Sequence, residues 1–348
     1  MTDPALTSPD DLIRAGLAPA AAREVLMAVA RDFRIRVTPE MHHAMGNGPG
    51  DPVVAQFVPT AAERITRPEE RTDPIGDRVH SPVPGLTHRY PDRVILHVTQ
   101  TCDVYCRFCF RRETVGADGP LSPAALTEVL AYIAATPAVR EVILTGGDPM
   151  TLSPRRLNAL MGDLAAIPHL DVIRLHSRVP VVAPQRITAE MTAALARHPA
   201  TFVVVHTNHA QELTAAAREA LARLAQAGIP LLSQSVLLKG INDNADTLAT
   251  LFRTLTAARV KPYYLHHCDL ARGTGHFRTT IAAGQALMAA LRGRLSGIAI
   301  PTYVLDIPGG FGKVPVTADH IAPTGTPGLY RVRDWQGGLH DYADPTAS

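Results

Sequence analysis

Val94-Ile95-Leu96-His97-Val98 and, four residues on, Cys102-Asp103-Val104-Tyr105-Cys106-Arg107-Phe108-Cys109 form the stretch on which the reading of this chain turns. A near-continuous apolar run of five residues suits a strand buried on both faces, as in a parallel sheet. Three cysteines within eight residues point to ligation on a short loop leaving that strand. The fourth cysteine, Cys268, stands far away. Met1–Asp11 is acidic and contains Pro but no apolar signal core, so a disulfide framework is not expected and a cytosolic setting is.

Outward from this stretch the same rhythm repeats. Strands are expected at Val142–Leu144, Val172–Leu175, Phe202–Val205, Leu231–Leu238 and Tyr263–His266. Helices are expected at Pro123–Ala135, Pro154–Ile167, Thr188–Arg197, Leu213–Ala227, Asn244–Ala258 and Ile281–Leu295. Apolar strands separated by helices of this length imply an α/β chain with a parallel sheet and helical crossovers. No GxGxxG follows a strand, so six such units favour a partial or complete (β/α) barrel over a dinucleotide-binding sheet. In such barrels the active site lies at the C-terminal strand ends. Polar residues gather there in turn: the three cysteines, Gly146-Gly147-Asp148-Pro149, His176-Ser177-Arg178, His206-Thr207-Asn208-His209, Gln234, and His266-His267-Cys268-Asp269.

Residues 1–85 read as a mainly helical accessory region, with a helical patch at Ala20–Asp32 and Pro/Gly-rich stretches at Gly46–Pro52 and Ser81–Gly85, and no chemistry is found in it. Residues 86–296 form the barrel core and 297–348 a C-terminal segment, in which Ile298–Asp306 reads as one more strand before Pro308-Gly309-Gly310-Phe311-Gly312-Lys313. That turn permits close backbone approach and presents one lysine. With 46% hydrophobic and 19% charged residues among 348, the chain can bury a sizeable core. A formal charge of +2, from 34 basic and 32 acidic side chains, argues against a nucleic-acid partner. No apolar run is long enough for a membrane span.

Three thiolates at CxxxCxxC spacing can hold three irons of a [4Fe–4S] cluster and leave the fourth open to a ligand. A zinc site completed by a histidine, or a scaffold protein holding a structural cluster without catalysis, are the competing readings. The motif, placed after the first barrel strand, resembles the radical S-adenosylmethionine enzymes, with Gly146-Gly147-Asp148-Pro149 similar to their second-strand motif. Longer segments resemble the lysine 2,3-aminomutase group: His88–Arg93, Cys106–Arg112, Ser177–Pro180, Pro184–Thr188, Gln234–Asp243, Cys268–Leu270 with His276–Arg278, and Pro308–Pro315. The likeness spans roughly residues 86–345.

The resemblance implies a partial (β/α)6-type radical S-adenosylmethionine barrel and an isomerase that turns L-lysine into β-lysine by moving the amino group between neighbouring carbons. It implies a [4Fe–4S] cluster on Cys102, Cys106 and Cys109, S-adenosylmethionine against Gly146, Gly147, Asp148, Ser177, His206 and Gln234, and pyridoxal phosphate bound through Lys313. An imine-forming lysine suits exchange with a substrate amine, and Arg89, Tyr90 and Arg93 match residues near the cofactor phosphate. Arg111 matches the group that grips the substrate carboxylate; Asp269 and Asp306, the latter seven residues before Lys313, match the acids that bind the side-chain ammonium. Buried acids need a cationic partner, which favours a basic amino acid over glutamate. A flavodoxin or ferredoxin is the implied electron donor. Longer relatives form homo-oligomers around a zinc held by the cysteine matching Cys268 and a C-terminal cysteine cluster. No cysteine follows Cys268 here, so no zinc is expected. The shorter branch of the group, which supplies β-lysine for modifying translation elongation factor P, is the alternative role.

Overall fold

The structure, a computed structural model, describes residues 4–46, 50–317, 319–334 and 336–344. The outer ends of the accessory region and of the C-terminal segment, and residues 47–49 of the expected Pro/Gly-rich stretch, lie outside these.

Among the described residues nine strands make one sheet in chain order: β1 (Leu86–Tyr90), β2 (Arg93–Thr99), β3 (Glu141–Gly146), β4 (Val172–Ser177), β5 (Thr201–His206), β6 (Leu231–Leu237), β7 (Val260–His267), β8 (Thr302–Asp306) and β9 (Lys313–Pro315). Strands β2 to β8 run parallel, while β1 pairs with β2, and β9 with β8, antiparallel. The sheet is therefore a partial barrel with an antiparallel strand at each edge.

Local chemistry explains the regularity. The crossover helices Pro123–Ala134, Pro154–Ala165, Ala189–Leu195, Ala215–Gln226, Ala245–Ala257 and Ile281–Leu291 each start behind a Ser, Thr or Asn whose side chain accepts a backbone N–H of the first turn. Such a cap satisfies one of the otherwise orphaned donors and contributes about 1 kcal/mol. Val94, Leu96, Val142, Leu144, Ile173, Leu175, Val203 and Val205 are fully buried and build one core, into which Leu12, Val37 and Phe57 of the accessory region also pack.

The structure departs from expectation at three places. Strand β7 starts at Val260 and carries Pro262 inside it, where the missing N–H coincides with a register shift opposite Ser233 and Gln234. The strand expected from Ile298 begins only at Thr302, after a 3₁₀ turn at Gly297–Ala299 and Pro301. Beyond β9, the strands β10 (Ile321–Pro323), β11 (Leu329–Arg333) and β12 (Leu339–Ala343) form a small, largely exposed antiparallel sheet that no reading anticipated. Among the described residues no helix is long and apolar enough to cross a membrane.

Candidate active site

A cavity of about 720 Å³ opens at the C-terminal ends of the parallel strands. Its wall contains each residue to which the resemblance gives a role: Cys102, Cys106, Cys109, Gly146, Gly147, Asp148, Ser177, His206, Gln234, Arg89, Tyr90, Arg93, Arg111, Asp269, Asp306 and Lys313; of the other strand-end residues, Pro149, Thr207, Asn208, His209, His267 and Cys268 do not line it.

The cysteine loop is pinned from two sides. The N–H groups of Gly147 and Asp148 donate to the carbonyls of Thr99 and Thr101, at 2.6 and 2.9 Å. Glycine is required at the first of these, since a Cβ on Gly147 would run into the Thr101 carbonyl. On the other side Arg107 donates its backbone N–H to Gln56 O at 2.8 Å, and its guanidinium, with that of Arg112, closes on the buried Glu63 carboxylate. Cys102, Cys106 and Cys109 are free thiols. Burial pushes the protonation equilibria of all three up, Cys109 to about 11, and the charges of neighbouring thiols and carboxylates add to this at Cys102. Three thiols that repel one another as thiolates favour a shared cationic group, whose binding releases their protons. Three thiols spaced along one short loop can each take an iron of a shared cluster.

The Asp148 carboxylate is engaged inside the protein. It accepts Ser177 Oγ at 2.7 Å and the N–H groups of Met150, Arg178 and Val179 at 3.0, 2.7 and 3.2 Å. Burial nonetheless pushes its pKa up to about 6. Asp148 and Ser177 thereby shape the end of β4 rather than leaving a free acid. Next along the wall, His206 Nε2 is buried without a hydrogen-bond partner, as is His176 Nε2, so both imidazoles keep a polar atom for a ligand. Burial holds both neutral.

Arg89 and Arg111 share one carboxylate. Arg89 Nη2 lies 3.2 Å from Asp77 Oδ1 and 2.7 Å from Ile75 O, and Arg111 Nε lies 2.9 Å from Asp77 Oδ2. Asp77 is held below its ordinary range by Arg111 first, although burial opposes this. Arg89 Nε has no partner and is buried, a donor left over for an anion. The Arg93 guanidinium stacks on the Tyr90 ring at 3.8 Å and pairs with Asp92.

Lys313 lies where the two edges of the sheet meet. Its N–H donates to Tyr90 Oη at 2.8 Å, and its ammonium sits 2.5 Å from Asp306 Oδ2 and 3.4 Å from His266 Nδ1. His266 Nδ1 is also 3.2 Å from Asp306 Oδ2, while its Nε2 is buried without a partner. The lysine side chain is 24% exposed, so it can be reached from the cavity. Burial and the Asp306 charge raise the pKa of Asp269, whereas His266 and Lys313 hold Asp306 well below the usual carboxylate range. With the Lys313 ammonium on Asp306, Asp269 is the acid of the pair without a hydrogen-bonded cation, and a cationic ligand beside it would offset the cost of its buried charge.

The accessory region, in which the sequence shows no chemistry, sends Asp77, Glu63 and Gln56 to the arginines and the cysteine loop across long sequence separations. The glycines before Lys313 were expected to admit close backbone approach. The approach is made by the accessory segment, since Gly309 N donates to Pro74 O at 3.2 Å and a Cβ on Gly76 would lie 2.6 Å from the Gly309 carbonyl carbon. His266 and Arg178 lay in quoted segments without a role; only the folded geometry brings them to the site.

A sequence profile described as the Radical SAM superfamily matches residues 96–252, and one described as Lysine-2,3-aminomutase matches residues 288–348. The chain is 40% identical over 324 residues to an L-lysine 2,3-aminomutase of Fusobacterium nucleatum, an alignment covering 92% of this chain and 76% of that protein. It is 38% identical over 316 residues to an L-lysine 2,3-aminomutase of Escherichia coli, covering 89% and 92% of the two chains. It is also 39% identical over 298 residues to a glutamate 2,3-aminomutase of Clostridioides difficile, covering 85% and 70%.

Proposed function

The chain belongs to the lysine 2,3-aminomutase family of radical S-adenosylmethionine enzymes, and from this premise we propose that it isomerises L-lysine to β-lysine in the cytoplasm, with an electron from a flavodoxin or ferredoxin. The observation that carries the reading is a single cavity whose wall holds the three loop thiols together with Lys313, Asp269 and Asp306. When bound, the cluster and S-adenosylmethionine supply a radical able to take a hydrogen atom from the β-carbon, and pyridoxal phosphate supplies a carbonyl that carries the migrating nitrogen.

The protein's own part is placement. Cys102, Cys106 and Cys109 hold the irons. His206 and Gln234, with the β4 end shaped by Asp148 and Ser177, face S-adenosylmethionine. Arg89, Tyr90 and Arg93 take the pyridoxal phosphate group, and the free Arg89 N–H is the donor that fits it. Lys313 provides the amine that the substrate displaces. Arg111 receives the substrate carboxylate in a bidentate fork.

Substrate choice follows from Asp306 and Asp269. Lys313 already shows an alkylammonium seated on Asp306 at 2.5 Å. Once the Lys313 nitrogen is engaged by the cofactor, that acid is free to take the side-chain ammonium of lysine together with Asp269. A glutamate side chain would instead bring a third carboxylate into the same buried space, an arrangement the pocket rejects. Since this chain aligns with lysine and glutamate aminomutases at nearly the same identity, the paired acids decide between them.

The test is an anaerobic assay of reconstituted protein with L-lysine, S-adenosylmethionine and pyridoxal phosphate, following β-lysine by chromatography. β-Lysine is expected, and none from L-glutamate. Cleavage of S-adenosylmethionine without β-lysine would overturn the reading.

A further inference from the structure

Arg178, at the end of β4, makes a contact that the reaction as described does not use. Its Nη1 lies 2.7 Å from Cys106 Sγ. The guanidinium is almost wholly buried, 4.9 Å from the Phe57 ring and 5.6 Å from that of Phe108. Its Nη2 is satisfied elsewhere, by Gln56 Oε1 at 3.1 Å and by the Glu212 carboxylate.

Glu212 is fully buried and belongs to the same frame. Its Oε1 accepts the N–H groups of Asn208 and His209, each at 2.8 Å, and Gln56 Nε2 at 3.0 Å. The Arg178 backbone is fixed as well, its N–H donating to Asp148 Oδ2 at 2.7 Å. Four strand ends and the accessory region thus converge to hold one cationic fork against one sulfur. A packed arginine needing only charge balance would be satisfied by Glu212; the second arm of the fork goes to the thiol.

We propose that Arg178 and Glu212 set the reduction potential of the cluster carried by Cys102, Cys106 and Cys109. The inference rests on the assignment of those cysteines made above. A one-electron reduction adds negative charge to the cluster and its thiolates. A cationic donor on one thiolate stabilises the reduced form more than the oxidised form and raises the potential. The Glu212 carboxylate, at the far side of the same guanidinium, partly cancels this cation and lowers the potential. The two residues therefore act with opposite sign, which a purely structural ion pair would not do.

The experiment is a redox titration of the reconstituted full chain, without S-adenosylmethionine or substrate, following the paramagnetic reduced cluster. Iron and sulfide are counted first for each variant. Arg178→Gln is expected to keep the cluster and to cut its reduced-to-oxidised ratio about tenfold at the wild-type midpoint, a fall of about 59 mV for one electron. Glu212→Gln is expected to move the ratio in the opposite direction. Should Arg178→Gln give no soluble protein, Arg178→Lys, which keeps the charge but not the fork, is expected to shift the same way by less. Midpoints equal to wild type, or shifts of the same sign in the Arg178 and Glu212 variants, would overturn the proposal. A wild-type protein that takes up no cluster would overturn the cysteine assignment instead.

Discussion

Asp306 and Lys313 are cross-strand partners: they face each other in the β8–β9 register, with the ammonium 2.5 Å from the carboxylate. The seven-residue interval is thus the geometry of a hairpin, closed by Ile307 N donating to Gly312 O at 2.8 Å. The residue read as holding the cofactor and a residue read as holding the substrate are placed by one turn.

Lys313→Ala is expected to lose the visible absorbance of protein-bound pyridoxal while iron and sulfide content stay at wild-type values. Lys313→Arg keeps a cation beside Asp306 but supplies no amine for an imine, so its β-lysine formation should also fall to background. Absorbance spectra and product assays on both variants check this; a surviving band in either would refute the assignment.

Asp269→Asn removes the acid that has no internal ammonium. Truncating one partner of a buried charge pair costs about 2–5 kcal/mol, so kcat/KM for lysine should fall by about tens to thousands of fold, mainly through KM. The raised pKa of Asp269 fixes the sign of the pH effect. Below that pKa the acid is neutral and cannot hold an ammonium, so wild-type kcat/KM should decline on acidification at a pH above the ordinary carboxylate range. The Asn variant should lack that limb.

Asp77→Asn leaves Arg89 and Arg111 without their shared anion. Asparagine keeps one acceptor oxygen, so one guanidinium loses its hydrogen bond and both lose the opposing charge; hydrogen bonds to charged groups contribute about 1.5–3 kcal/mol. Pyridoxal phosphate affinity and the KM for lysine should therefore worsen together, by about tenfold or more, although Asp77 touches neither ligand in this reading. Fluorescence titration with the cofactor and steady-state kinetics separate the two effects, and a change in only one would contradict the shared role.

Glu63→Gln strands the guanidinium groups of Arg107 and Arg112, which are buried with it. Breaking a buried ion pair from one side costs about 3–5 kcal/mol. The urea midpoint of the metal-free protein should drop accordingly, and iron uptake should fall because Arg107 lies between Cys106 and Cys109. An unchanged midpoint would show that the accessory region does not brace the loop.

What the sequence made legible was carried locally. Val94–Val98 and its fellow runs announce parallel strands, stretches of about a dozen residues between them mark the crossover helices, and the strand ends display their polar residues in order. Asp77, Glu63 and Gln56 were not legible, because nothing in their own segments signals chemistry and their partners lie far along the chain. Arg178 stands 72 residues from Cys106, a pairing that only the close packing of strand ends creates. The strand expected at Tyr263–His266 starts earlier, at Val260, because the sheet absorbs Pro262 through a register shift.

The first and last strands of the nine-stranded sheet do not pair with each other, yet Tyr90 Oη accepts the Lys313 N–H, and His80 Nε2 lies 3.0 Å from Gly310 O. This seam is fastened by isolated hydrogen bonds, each worth about 1 kcal/mol, with Gly309 N to Pro74 O beside them; the other boundaries of the sheet are paired strands, some with a register shift. Partial opening is least costly where such contacts are sparsest. The seam beside Lys313 is therefore where the sheet is expected to open first, and backbone amide exchange should be faster there than along the parallel ladders.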